Sequence, residues 1–150
     1  MLAVSQRPGW ASSDTKIGLH VDPLKLLGEV ADVWSSSGTT GHVQGGQYSG
    51  YLLPMGPFFA LLRLIGVSPW LSQRLWLGLV LAVGAWGMVR LIDVLHCRQR
   101  GWAHAGAGAF MLLNGFVVTF ANRTSVTLLA LAVLPWLLVA VHRGLRQPKG

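Results

Sequence analysis

The residues of this chain that could do chemistry crowd into one short polar stretch. It reads Asp14-Thr15-Lys16-Ile17-Gly18-Leu19-His20-Val21-Asp22-Pro23. Two of only five acidic residues in the chain fall here, with a lysine and a histidine between them. A carboxylate just above a membrane has two uses. It accepts the proton of an attacking hydroxyl, or it holds a divalent cation (magnesium or manganese) that in turn holds a lipid phosphate. Lys16 or His20 would then contact the phosphate directly. The competing reading is plainer: solvated loop charge, with Asp22 serving as a helix cap.

Other constellations are missing or unconvincing. No GxxxxGK[ST] or GxGxxG pattern offers a phosphate loop. No HExxH or CxxC pair offers zinc. His20, His42, His96, His104 and His142 are scattered, and nothing forces Ser13, His20 and Asp22 into a triad. The single cysteine, Cys97, excludes a disulfide scaffold. Asn122-Arg123-Thr124 matches a glycosylation sequon, but its turn is so short that capping of the next helix is the better expectation.

What must position the acidic stretch is a membrane. The chain has 150 residues, 52% of them hydrophobic and only 11% charged. Soluble domains carry about 25% charged residues. The net charge of +7 comes mostly from single Lys and Arg residues at the ends of apolar runs. That placement fits membrane flanks better than a nucleic-acid groove, so no nucleic-acid partner is expected. Three regions follow: residues 1–50, polar and holding four of the five acids; residues 51–142, mostly apolar; and residues 143–150, a basic tail. No secretory leader opens the chain, so an external first region implies further sequence upstream to carry it across.

Asp22-Pro23 reads as a helix start, with Asp at the cap and Pro in the first turn. Leu27, Val30, Ala31 and Trp34 follow on one face, and Lys25, Glu29 and Asp32 on the other. This amphipathic helix suits the membrane interface. The stretch from Ser35 to Gly50 reads as a loop, with Tyr48 and Tyr51 at headgroup level. Pro54-Met55-Gly56-Pro57 opens a helix over Phe58 to Val67, too short to span, which dips into the membrane; the alternative is a tilted span beginning at Tyr51. Three spans are expected: Trp70 to Leu95, Trp102 to Ala121, and Thr124 to Val141 with a kink at Pro135. Arg74 and Arg90 should snorkel from the ends of the first. Gly78 and Ala82, and Gly101, Ala105 and Ala109, have the spacing that lets helices approach closely. The cluster of Arg90, Arg98, Arg100, Arg143, Arg146 and Lys149 puts that side in the cytoplasm and residues 1–69 outside. The fold expected is an all-α integral membrane protein: polar external loop, interfacial helix, short membrane-dipping helix and about three transmembrane helices.

Two blocks carry a resemblance. The first is DTKIGLHVDP, running into the helix that ends at Trp34. The second is GHVQGGQYSGYLLPMGPFF, followed by the LSQRLW opening of a span. Together they resemble the actinobacterial α-(1→3)-arabinofuranosyltransferases of the AftD type, whose N-terminal region carries DTK-x-x-L-x-x-DP and VQ-x-Q-x-YGYL-PMGPFF motifs. Val43, Gln44, Gln47, Tyr48, Gly50, Tyr51, Leu52 and the run from Pro54 to Phe59 match the second motif. The resemblance covers residues 14–142.

The resemblance implies a partial GT-C fold at the plasma membrane. It implies transfer of arabinofuranose from decaprenyl-phosphoryl arabinofuranose to a cell-wall arabinan acceptor on the outer face. An Asp of the first external loop would do the acid/base or metal-linked work: Asp14 first, with any divalent cation on it, and Asp22 second. Gln44, Gln47, Tyr48 and Tyr51 would line the sugar or lipid-phosphate side, beside Lys16 and His20. Such proteins are far longer, with a span before the DTK motif and many more after. The chain is therefore expected to be one piece of a larger or split enzyme, working with its remainder and with membrane lipids. The alternative is a noncatalytic membrane remnant or partner subunit.

Overall fold

A computed structural model describes residues 16–32, 34–35, 40–43, 50–95, 101–121 and 124–146. The chain forms two compact units, Met1–Trp76 and Leu77–Gly150. Among the described residues, three helices are long and apolar enough to cross a membrane. The chain is an all-α integral membrane protein.

The first unit opens with α1 (Ile17–Val21) and α2 (Pro23–Ala31). Sequence alone reads the α1 segment as loop; a single helical turn forms there, closed by the Asp22 N–H donating to Gly18 O at 2.8 Å. Asp22 then starts α2 as expected: its Oδ1 accepts from the Lys25 N–H at 3.1 Å, and Pro23 occupies the first turn. Lys25 and Glu29 pair at 3.8 Å on the polar face. This helix ends at Ala31, short of Trp34, because Trp34–Ser35 (β1) instead pairs antiparallel with His42–Val43 (β2). Gly41, at φ 65°, faces the Trp34 indole so closely that a Cβ there would lie 2.6 Å from the ring.

Tyr51–Met55 forms a wide turn broken by extended Leu53, and α3 (Gly56–Leu64) follows directly. The two together form an apolar helical stretch too short to count as a span. Helix α3 ends three residues earlier than the apolar run suggests. Gly66, at φ 81°, lets its N–H reach Arg63 O at 3.0 Å while Val67 N–H reaches Leu62 O at 2.9 Å. That pair of bonds closes a helix with a left-handed residue, which glycine adopts freely. Gly56 has a different task. A Cβ there would lie 2.5 Å from Leu27 and 2.8 Å from the Tyr51 carbonyl, so its bareness is what lets α2 lie against α3. Leu19, Tyr51, Met55, Phe59 and Trp76 make the core of this unit.

The first span, α4 (Pro69–Val94), starts as the Ser-Pro pair predicts: Ser68 Oγ accepts from the Leu71 N–H at 3.4 Å. The expected second span is interrupted. Helix α5 (Trp102–Leu113) stops at Asn114, which is extended, and α6 (Gly115–Phe120) begins after it. Asn114 serves both ends: its Oδ1 accepts from Val117 N–H at 2.9 Å, and its Nδ2 donates to Met111 O at 2.8 Å. A 3₁₀ turn, Ser125–Thr127, leads into α7 (Leu128–Arg146), which runs through Pro135 and past Val141 to place Arg143 and Arg146 in its last turn. Cations there complement the carbonyl end of the helix dipole.

Helix packing in the second unit differs from the spacing-based expectation. Gly78 has open space around it, and Ala82, Gly101, Ala105 and Ala109 are exposed. The close approach is made instead at Gly84 and Gly87. A Cβ on Gly84 would meet Met111 and Ala132; one on Gly87 would lie 2.6 Å from the Trp136 Nε1. Residue 87 shields the carbonyl one turn back in any α-helix, and as glycine it leaves the Val83 carbonyl open to the Trp136 indole N–H, 3.1 Å away. Trp86 meets Trp136 edge to face at 5.5 Å.

Candidate functional site

The described part of the acidic stretch is held by α1, α2 and α3. Lys16 immediately precedes α1, its carbonyl accepting from Leu19 N–H at 3.0 Å. At the joint between α1 and α2, Asp22 is exposed. One carboxylate oxygen of Asp22 is occupied by the helix cap, and the other lies outside that bond. The two sides of α1 differ sharply: Ile17 and Val21 are exposed, while Leu19 and His20 are buried. This short helix thus presents Lys16 and Asp22 at its two ends and anchors itself by one face.

His20 is part of that anchor. Its ring lies edge-on to Phe59 at 5.1 Å, and Phe59 and Phe58 both reach Trp76, at 6.4 and 5.3 Å. An aromatic row thus runs from α1 through α3 to α4. Tyr51 is also buried, at 5% exposure. Sequence reasoning assigns both side chains to substrate contact; in the structure both pack within the first unit. Asp14, Gln44, Gln47 and Tyr48 lie outside the described residues.

Sequence reasoning misplaces Arg74. Expected to snorkel outward from the end of a span, it is 5% exposed and lies 5.9 Å from the Trp70 ring centroid. Its neighbours Ser72 and Gln73 are buried as well. The spacing permits this contact, because residues four apart share a helix face, but it leaves open whether the arginine turns inward or outward. A second cluster joins α4 to α5, where Asp93 accepts from His104 Nε2 at 2.9 Å and lies 3.7 Å from Arg90. The sequence marks Asp93 only as a lone acid at a helix end.

The described residues do not make a divalent-cation site. Among them no group of three or more His, Cys, Asp or Glu side chains converges. Asp22 is engaged as a cap, and Asp14, the remaining candidate ligand, lies outside the described residues.

Three helices long and apolar enough to cross a membrane, preceded in the chain by a polar stretch with an exposed acid, define a multi-spanning membrane protein. The chain belongs to the family of α-(1→3)-arabinofuranosyltransferase N-terminal GT-C domains, whose profile matches residues 1–149. An α-(1→3)-arabinofuranosyltransferase of Mycobacterium tuberculosis is 36% identical over 149 residues, covering 99% of this chain and 10% of the relative. The protein of the same name from Mycolicibacterium smegmatis is 38% identical over 146 residues, covering 97% of this chain and 10% of that one. The cryo-EM structure of arabinofuranosyltransferase AftD from mycobacteria matches with a TM-score of 0.86 at 37% identity, over 95% of this chain and 11% of that chain. A mutant of that enzyme, R1389S, matches with a TM-score of 0.85. The chain thus spans about a tenth of the length of the curated relatives it matches.

Proposed function

We propose that this chain supplies the entry portion of a membrane site that transfers arabinofuranose from decaprenyl-phosphoryl arabinofuranose to a cell-wall arabinan. Residues 1–69 lie on the extracytoplasmic side of the plasma membrane in this reading. An arabinan hydroxyl attacks the anomeric carbon of the donor sugar. The new glycosidic bond forms as the bond to the phosphate oxygen breaks, and the polyprenyl phosphate leaves. Asp14 takes the proton from the attacking hydroxyl. Lys16, at the start of α1, faces the phosphate charge, and Gln44, Gln47 and Tyr48 contact the sugar. Asp22 holds the joint between α1 and α2 and is second in line as a base.

The observation that carries the reading is the family match over residues 1–149 together with the folded segment from Lys16 to Pro23, which is packed through His20 onto the helix that opens at Gly56. The test is the Asp14→Asn substitution made at the corresponding aspartate of the full-length mycobacterial relative. Transfer from decaprenyl-phosphoryl arabinofuranose should fall at least about a hundredfold at equal expression, the usual scale for a lost acid/base group. Unchanged turnover removes Asp14 from the chemistry and favours a noncatalytic role for the segment.

A further inference from the structure

We propose that Trp34 is a stacking platform for a neutral glycan, a subsite that holds sugar units of the acceptor away from the reacting end. The proposal rests on the reading above that the acceptor is an arabinan.

A tryptophan ordinarily hides most of its ring. Trp34 is 56% exposed, and Val43, its partner across the β1–β2 pair, is 62% exposed. The ring is nevertheless seated. Strand pairing holds its backbone, and Gly41 closes on the indole from one side. A Cβ on Gly41 would lie 2.6 Å from Cζ2 and 2.8 Å from both Cε2 and Nε1. That approach and the left-handed backbone both call for glycine. The hairpin thus orients a large aromatic surface and leaves more than half of the residue open. The surroundings decide the ligand. No lysine or arginine occurs between Lys25 and Arg63, so nothing in that stretch attracts a phosphate or an anionic headgroup. Exposed Asp32 stands two residues before the ring on extended backbone, at φ −84° and ψ 138°, and exposed Thr40 adjoins Gly41. An anionic bilayer surface would repel that carboxylate, whereas sugar hydroxyls donate to it. The C–H face of a furanose ring carries slight positive charge and lies well against an electron-rich indole. A neutral polyhydroxylated chain therefore suits ring and carboxylate together. Helix α2 carries the chain from Asp22 to this hairpin, a rise of ~13 Å over its nine residues. The platform would then hold sugars beyond the reacting one, where remote contacts supply binding energy.

The test uses the 150-residue chain in lipid nanodiscs. Binding of a linear α-linked arabinofuranose hexasaccharide is titrated by saturation-transfer NMR, with maltohexaose as the pyranose control. The arabinose chain should bind the parent protein and maltohexaose should bind more weakly. Trp34→Ala should weaken binding about fivefold or more, the scale of an aromatic contact. Trp34→Phe keeps a ring and should recover most of the loss, which separates stacking from misfolding; circular dichroism checks both variants. Gly41→Ala keeps the indole but displaces it, and should weaken binding as Trp34→Ala does. Unchanged binding in Trp34→Ala, or no binding by the parent protein, overturns the platform. Maltohexaose binding as tightly as the arabinose chain overturns its assignment to an arabinan. A nitroxide on Trp34→Cys, in the Cys97→Ser background, should be relaxed by an aqueous nickel complex. Relaxation by bilayer oxygen instead places the residue in lipid and overturns the proposal. The readout is glycan binding, so it is independent of the Asp14→Asn transfer result, and either reading can fail without the other.

Discussion

Asp22 illustrates how one side chain serves two competing accounts. As a helix cap it needs only an acceptor oxygen, which asparagine supplies as well as aspartate. As a base it needs a carboxylate. Asp22→Asn should therefore leave the thermal stability of the detergent-solubilised chain within about 0.5 kcal/mol, while Asp22→Ala should cost about 1 kcal/mol. A large loss in Asp22→Asn would show that the negative charge itself is needed there. The cap is legible in the sequence because Asp followed by Pro ahead of an apolar periodicity has few other uses. The burial of Arg74 is not. Composition gives an arginine at a span end the same appearance whether it turns outward to water or inward onto a tryptophan, and only packing decides between them.

Helices show the same division. Long apolar runs mark α4 and α7 to within a few residues, because membrane thickness sets their length. The break between α5 and α6 is hidden. Asn114 stands in an apolar stretch and reads as a tolerated polar residue until its two amide bonds are seen. It supplies the acceptor and the donor that two helix ends require where water is scarce. Asn114→Ala should destabilise the protein by about 1–2 kcal/mol, read as a lower midpoint of thermal unfolding by circular dichroism, and Asn114→Ser should recover most of the loss by restoring the cap. An unchanged midpoint in Asn114→Ala would mean that the interruption does not depend on this side chain. Helix contacts escape the sequence for a related reason. Four-residue spacing of small residues is permissive, and which stripe is used depends on the bulk opposite it. Gly84 and Gly87 face Met111 and Trp136, and Gly78 faces open space.

At the scale of the whole molecule, the proposed orientation follows from the arginines near the ends of α4 and α7, with residues 1–69 outside the cell. In a Cys97→Ser background, single cysteines at positions 14 and 40 should react with a membrane-impermeant maleimide in intact cells. A cysteine at exposed Leu145 should react only after the cells are opened. The reverse pattern would invert the topology and place the acidic stretch on the side opposite the one the proposed function requires. The fold class is readable from composition, because a chain so poor in charge has few ways to satisfy its backbone other than helices in lipid. The candidate site is readable only in part. Its motif stands out in sequence, whereas the aromatic row from His20 to Trp76 is made of ordinary core residues brought together by three helices.

The Trp86–Trp136 pair has a practical use. Two indoles 5.5 Å apart, one of them donating to the backbone of the opposite helix, interact electronically and emit according to that bond. Sliding of α7 along α4 by one turn, about 5.4 Å, would part them. The protein therefore carries its own optical gauge of helix register, readable in near-ultraviolet dichroism without any attached dye.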